Sequence, residues 1–213
     1  MIRLHVHGSG DFRRLLQAKR LLIFDFDGTV ADTSPLHERA FQQVLEPLGI
    51  KVNYADIAGL STGDAIRRCL ARTAVRLEAS EIERLVAAKQ ATAHALIQRS
   101  LLPIPAVHAF LTAVRPHYCL AMVTSGSRKS VTLALEKLGY AGWFEPLLCA
   151  EDVNRGKPDP EGFLKALELA DIPAAAAIVF EDSAAGVAAA AKAGIAVIDV
   201  RNTPFSTLTA SRI

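Results

Sequence analysis

The 213-residue chain is predicted to be a doubly wound α/β protein, a parallel sheet core with an all-helical cap inserted after its first strand. Three observations predict it. Short apolar runs recur along the chain, and each ends in polar residues followed by a helical pattern. Each run is continuous rather than alternating, which marks strands covered on both faces, as in a parallel sheet. The stretch from about Thr33 to Leu102 breaks the rhythm with three successive helical patterns and no buried strand. The expected layout is therefore Rossmann-like, with core residues 1–32 and 103–213 and cap residues 33–102.

The expected strands are residues 21–24, 119–123, 146–149, 177–180 and 196–198. Ser34 and Pro35 are expected as N-cap and first residue of the first cap helix, with Leu36, Ala40, Phe41, Val44, Leu45 and Leu48 along one side. The second carries Ile66, Cys69, Leu70 and Leu77. A capping box from Ser80 to Glu83 should open the third, which aligns Ile82, Leu85, Val86, Ala93, Leu96 and Ile97. In the core, Ser127 should N-cap a helix striped by Val131, Ala134, Leu135 and Leu138 and closed by Gly139. Asp159 and Pro160 read as N-cap and first residue of another helix, and Ser183 as the cap of an alanine-rich one running to Gly194. Phe12, Leu15 and Leu16 leave two readings open: a helix packed on the core, or a loosely attached segment.

Composition narrows the function. Hydrophobic residues make up 51% of the chain, ample for a packed core. Lysine and arginine number 24 against 22 acids, a balance that argues against a nucleic-acid partner but leaves a small anionic substrate open. Cys69, Cys119 and Cys149 form no CxxC pair and are expected as core filler, with neither disulfide nor zinc site. The N-terminus is too interrupted by charge for a secretory signal, and no apolar run approaches the ~18 residues of a membrane span. A soluble, cytoplasmic monomer without a membrane partner is the expectation. Neither GxGxxG after a strand nor GxxxxGK[ST] occurs, so the common nucleotide-binding motifs are absent.

Chemistry gathers where strands end. Asp25 and Asp27 close the first expected strand, two apart and so projecting from one face of extended backbone, with Gly28 allowing a tight turn. Glu181 and Asp182 close the fourth in the same way. Ligand crevices of open α/β sheets lie beyond the carboxyl ends of the strands, so the four acids are candidates to meet there. Carboxylates held close repel, and octahedral Mg2+ would neutralise them. Lys157 lies in the loop Gly156-Lys157-Pro158, where it can offset the acids and hold a phosphate oxygen. Thr124-Ser125-Gly126-Ser127 ends a strand and opens a helix, offering hydroxyls and free N–H groups to an anion.

In this order, Asp25-Phe26-Asp27-Gly28-Thr29-Val30, Thr124-Ser125, Lys157-Pro158 and Glu181-Asp182 resemble the motifs of the haloacid dehalogenase superfamily of phosphohydrolases. The resemblance runs from about Leu21 to Val200. It implies that Asp25 attacks phosphorus to form an aspartyl-phosphate. Asp27 would protonate the leaving oxygen and then activate water, its backbone carbonyl binding the metal. Thr124, or Ser125 in the neighbouring register, would hydrogen-bond the phosphoryl group, with Gly126 beside it. Lys157 would steady the transferring oxygens and Asp182 would bind Mg2+, with Glu181 as a further ligand or a support behind it. An acid at Asp27 argues against dehalogenase and phosphonate-cleaving relatives.

The helical insert resembles the cap of the subgroup containing β-phosphoglucomutase and sugar-phosphate phosphatases. Asp32-Thr33-Ser34-Pro35-Leu36-His37 is most similar to fructose-1-phosphate-type phosphatases. Thr62, where the mutases carry a phosphate-gripping arginine, counts against a mutase. Lys89 falls on the apolar stripe of the third cap helix, where it either snorkels to water or reaches the substrate; His37 is a second candidate contact. Arg67, Arg68 and Arg72 read as a solvated helix face. The expected activity is Mg2+-dependent hydrolysis of a small phosphorylated metabolite. A phosphomutase, a phosphoglycolate phosphatase and a catalytically silent binding protein on the same fold are the alternatives.

Overall fold

The structure is a computed structural model. It describes residues 9–58 and 60–208. Strands β1 (Leu21–Phe24), β2 (Cys119–Val123), β3 (Leu147–Leu148), β4 (Ala177–Glu181) and β5 (Ala196–Asp199) form one parallel sheet in the order β3-β2-β1-β4-β5. The first strand is thus central: Phe24 lies level with Met122 on one side and Phe180 on the other. Strand β3 is shorter than the expected run because Pro146 has no N–H for a ladder; its carbonyl instead accepts from Met122 N–H at 2.9 Å.

Alternation along β1 divides the core. Leu22 and Phe24 face a layer holding α1 (Ser9–Gln17), α5 (Pro105–Val114) and α6 (Arg128–Leu138), while Leu21 and Ile23 face α7 (Glu161–Ala170) and α8 (Ala184–Lys192). Phe24 and Phe180 stack with ring centres 4.7 Å apart, and Phe110 meets Phe180 edge-on at 5.4 Å. Of the two readings of residues 12–16, the packed helix is the one observed: Phe12 and Leu16 are buried, and Phe12 lies 5.9 Å from Phe110.

Between β1 and β2 come α2 (Ser34–Leu45), α3 (Thr62–Leu70) and α4 (Ala79–Ser100), with no strand among the described residues. One-turn 3₁₀ segments lie at Glu46–Leu48 and Tyr54–Asp56. Phe41, Leu45, Ile57, Ile66 and Leu70 form a small core of their own here. Helix α3 ends before Leu77, which packs against that core from the following connection.

Three caps differ from expectation. Thr33, not Ser34, is the N-cap of α2 and makes no side-chain cap, because its hydroxyl is bonded to Asp27 instead. Helix α4 begins earlier, with a box between Glu78 and Glu81. Pro160, rather than Asp159, caps α7; Asp159 still accepts from Glu161 N–H at 3.0 Å. Ser127, Ser183 and Gly139 cap as expected. Cys69 and Cys149 are buried, but Cys119, at the start of β2, is exposed and fills no core. Among the described residues no helix is long and apolar enough to cross a membrane.

Replacing Phe12 with alanine should lower the unfolding free energy by about 3–5 kcal/mol, as for other large core aromatics. A urea denaturation curve reads this directly; a loss below about 1 kcal/mol would show that α1 is not part of the core.

Candidate active site

The carboxyl ends of β1 and β4 bring the first and last motifs together. Asp25 N–H donates to the Phe180 carbonyl at 3.0 Å, which puts Asp25 level with Glu181 and Asp182. Oxygens of Asp25, Glu181 and Asp182 lie within 4.8 Å of one another. Lys157, from the loop before α7, reaches in with Nζ 2.5 Å from Asp25 Oδ1 and 2.7 Å from Glu181 Oε2. All three of these side chains are buried. Burial alone would discharge the lysine, yet the two carboxylates outweigh it and hold the ammonium proton above its ordinary range.

Asp25 goes the other way. Burial, then the Glu181 charge, push its carboxyl well above the usual range, with Lys157 opposing. Asp182 is raised to about 6, first by burial and then by Glu181. Glu181 has its oxygens committed: Oε2 to Lys157, and Oε1 to the Ser183 N–H at 2.9 Å and hydroxyl at 2.8 Å. Asp182 accepts the Thr29 hydroxyl at 3.2 Å. The turn between the strands' acids is tight: Gly28 sits at φ +84°, and a Cβ there would overlap the Asp182 carboxylate.

The Asp27 carboxylate lies outside this acidic group. It accepts from the Thr33 hydroxyl at 2.5 Å and meets His37 Nε2 at 3.0 Å. Lys89 Nζ lies 2.8 Å from His37 Nδ1 and over the Phe41 ring. An ammonium can only donate, so Nδ1 accepts and Nε2–H points at Asp27. Burial presses the Asp27 carboxyl up, but its hydrogen bonds from His37 and Thr33 and the Lys89 charge together hold it below the ordinary carboxylate range. Lys89 is only 5% exposed, so it does not snorkel; burial lowers it to about 8, against the pull of Asp27.

At the end of β2, Ser125 and Gly126 line the cleft with Asp25 and Asp27, whereas Thr124 lines a neighbouring cavity that Ser125 also borders. Thr124 Oγ1 accepts the Gly126 N–H at 3.0 Å. The cleft therefore unites Asp25, Asp27, Asp182, Ser125, Gly126, His37 and Lys89, with Lys157 and Glu181 behind Asp25. Arg67 and Arg68 are exposed on α3, as the helix-face reading expects, whereas Arg72, also exposed, lies beyond the end of that helix and pairs with Asp56. Sequence reasoning missed Tyr54 and Gln90 on the cleft wall. It also missed Ser130, which bridges His94 of α4 at 2.7 Å and Ser127 at 2.8 Å. Only the polar face of α4 pointed at Gln90, and nothing in the sequence marked Tyr54, which sits in a one-turn helix.

Residues 22–200 match the family model described as haloacid dehalogenase-like hydrolase. The fructose-1-phosphate phosphatase YqaB of Escherichia coli strain K12 is 29% identical over 185 residues, covering 84% of this chain and 95% of its own. The phosphorylated carbohydrates phosphatase of Thermotoga maritima is 32% identical over 179 residues, covering 82% and 81%. The crystal structure of β-phosphoglucomutase from Clostridium difficile superposes with a TM-score of 0.75 at 22% identity, over 88% of both chains, a likeness of fold.

A Cβ at Gly186 would overlap the Glu181 carboxylate, which its partners hold fully buried. Gly186→Ala should therefore destabilise the protein by about 1–3 kcal/mol in chemical denaturation. A change below about 0.5 kcal/mol would mean that Glu181 has room to turn.

Proposed function

The chain belongs to the haloacid dehalogenase-like hydrolase family, and we propose that it is a Mg2+-dependent phosphatase hydrolysing a sugar monophosphate through a phosphorylated Asp25. That it hydrolyses phosphoric monoesters follows from its family and its phosphatase relatives. One observation carries the finer reading: a buried carboxylate, Asp25, stands between an ammonium and a second acid, Asp182, across a cleft from a separate carboxylate, Asp27.

Two carboxylates with opposed environments suit two roles. In the first half, an Asp25 oxygen attacks phosphorus while the bond to the leaving oxygen breaks, and that oxygen takes a proton from Asp27. In the second, water attacks phosphorus, gives its proton to Asp27, and the bond to Asp25 breaks to release phosphate. Asp27 as described is an anion, the state the second half requires. The first half needs it protonated, and a phosphoryl group's negative charge beside it pushes in that direction. His37, with its Nε2–H aimed at Asp27 and Lys89 behind it, keeps the carboxylate oriented. Lys157 and Ser125 would hold phosphoryl oxygens; the position of Ser125 in the cleft favours it over Thr124.

The donor set fits a hard divalent cation: three carboxylates within 4.8 Å are balanced by one lysine. Asp25 and Asp182 would hold Mg2+ with the Asp27 carbonyl, Glu181 standing behind because its oxygens are taken. When bound, the ion supplies positive charge to the phosphoryl oxygens. Residues 33–102 would act as the cap over this cleft.

Asp25→Asn should reduce phosphate release from fructose 1-phosphate by about 10³-fold or more without changing the circular dichroism, and Asp27→Asn should cripple it too. Near-native turnover by either variant would sink this mechanism.

Asp182 is raised from 3.8 to about 6. The folded state thus binds its proton more tightly than the unfolded chain, and this contribution to stability is lost as pH rises through about 6. Mg2+ should then raise the melting temperature more at about pH 7.5 than at about pH 5, where protons compete for the site. A rise of equal size at both values, or none that a chelator reverses, would remove the metal site.

A further inference from the structure

The cleft has one wall that this mechanism does not use. In the same cleft as the acids, the helical segment presents Ser34, Tyr54, Thr62 and Gln90, all uncharged and all able to donate or accept a hydrogen bond. Its cations are already committed. Lys89 is engaged by His37 and Phe41. Arg128, which follows the cleft residues Gly126 and Ser127, turns away to the Leu147 carbonyl at 3.2 Å and to the Asp152 carboxylate. Arg67 pairs with Asp64 at 3.4 Å on the exposed side of α3. No arginine among the described residues lines the cleft.

That inventory discriminates between ligands. A phosphate carries close to two negative charges and is held by Arg or Lys in charge-assisted bonds. A hydroxyl needs only neutral donors and acceptors, and a site built from them rejects an analogue that leaves them unpaired. Tyr54 is the centre of this wall. It lines the cleft together with Ser34, Asp25, Asp27 and Asp182, and its ring packs against the small core of the helical segment. Burial first, and those carboxylates next, keep its phenol protonated, so it remains a donor. The ring has two torsions and loses little freedom on binding.

Resting on the phosphatase reading, we infer that Tyr54 is a specificity-determining residue that reads a hydroxyl of the leaving group, and that this group is a neutral polyol without a second phosphate. The wall is too poor in cations for a bisphosphate and too rich in hydroxyls and amides for an apolar alcohol.

The test compares three esters with wild type and Tyr54→Phe in saturating Mg2+: fructose 1-phosphate, fructose 1,6-bisphosphate and hydroxyl-free p-nitrophenyl phosphate. For wild type, kcat/KM on the monophosphate should exceed that on the bisphosphate by about tenfold or more. In Tyr54→Phe, the ratio of kcat/KM on fructose 1-phosphate to that on p-nitrophenyl phosphate should fall by about 3–10-fold, mainly through KM, the size of one neutral hydrogen bond. An unchanged ratio, or a bisphosphate hydrolysed as well as the monophosphate, overturns the inference while leaving the phosphatase reading intact. No hydrolysis of any ester by wild type takes down both.

Discussion

One ammonium governs the arrangement of this site. Lys157 stands between Asp25 and Glu181, all three side chains being buried, and its ammonium is what balances the two acids there. Removing one partner of such a buried set leaves an uncompensated charge, typically at a cost of about 3–5 kcal/mol. The loop that carries Lys157 is accordingly well tied. Glu161 accepts the N–H groups of Asn154 at 2.9 Å and Arg155 at 3.0 Å, and Lys192 donates to the Pro158 carbonyl at 3.0 Å. The buried Asp25 carboxylate and the Lys157 ammonium are thus held in place by the same electrostatic balance.

The second carboxylate depends on different neighbours. Asp27 leaves the acidic group for Thr33 and His37, which open α2, and through His37 it is joined to Lys89 on α4. Helix α4 in turn is fastened to the core by His94 on Ser130 at 2.7 Å and by Lys137 on the Gln98 carbonyl at 2.7 Å. The helical segment therefore does more than cover the cleft. It sets the position and the charge of the Asp27 carboxylate, while the sheet sets those of Asp25.

Much of this was legible in the sequence, for identifiable reasons. Strands buried on both faces leave continuous apolar runs, and their acidic ends at Asp25 and Glu181 could be read beside them without knowing strand order. Caps made by a serine hydroxyl onto its own helix, at Ser127 and Ser183, are local and were readable. Thr33 was not, because a residue 6 positions away competes for its hydroxyl. Lys89 shows the same limit: its place on an apolar stripe is compatible with water or with burial, and only the proximity of His37 and Asp27 across the fold decides. Tyr54 carried no signal at all, since its place in the cleft arises from how a one-turn helix packs in the folded chain.

The position of β1 has a further consequence for where the molecule yields under thermal motion. With β2 on one side and β4 on the other, its amides are bonded along both edges, and both of its faces are covered by helices. Such a strand exposes its backbone to solvent deuterium only when the whole domain opens, whereas one-turn helices and end caps open locally at far smaller free energy. Asp25 follows directly on this central strand, whereas Tyr54 sits in a one-turn helix. Local opening is therefore expected far less often on the Asp25 side of the cleft than on the side bearing Tyr54.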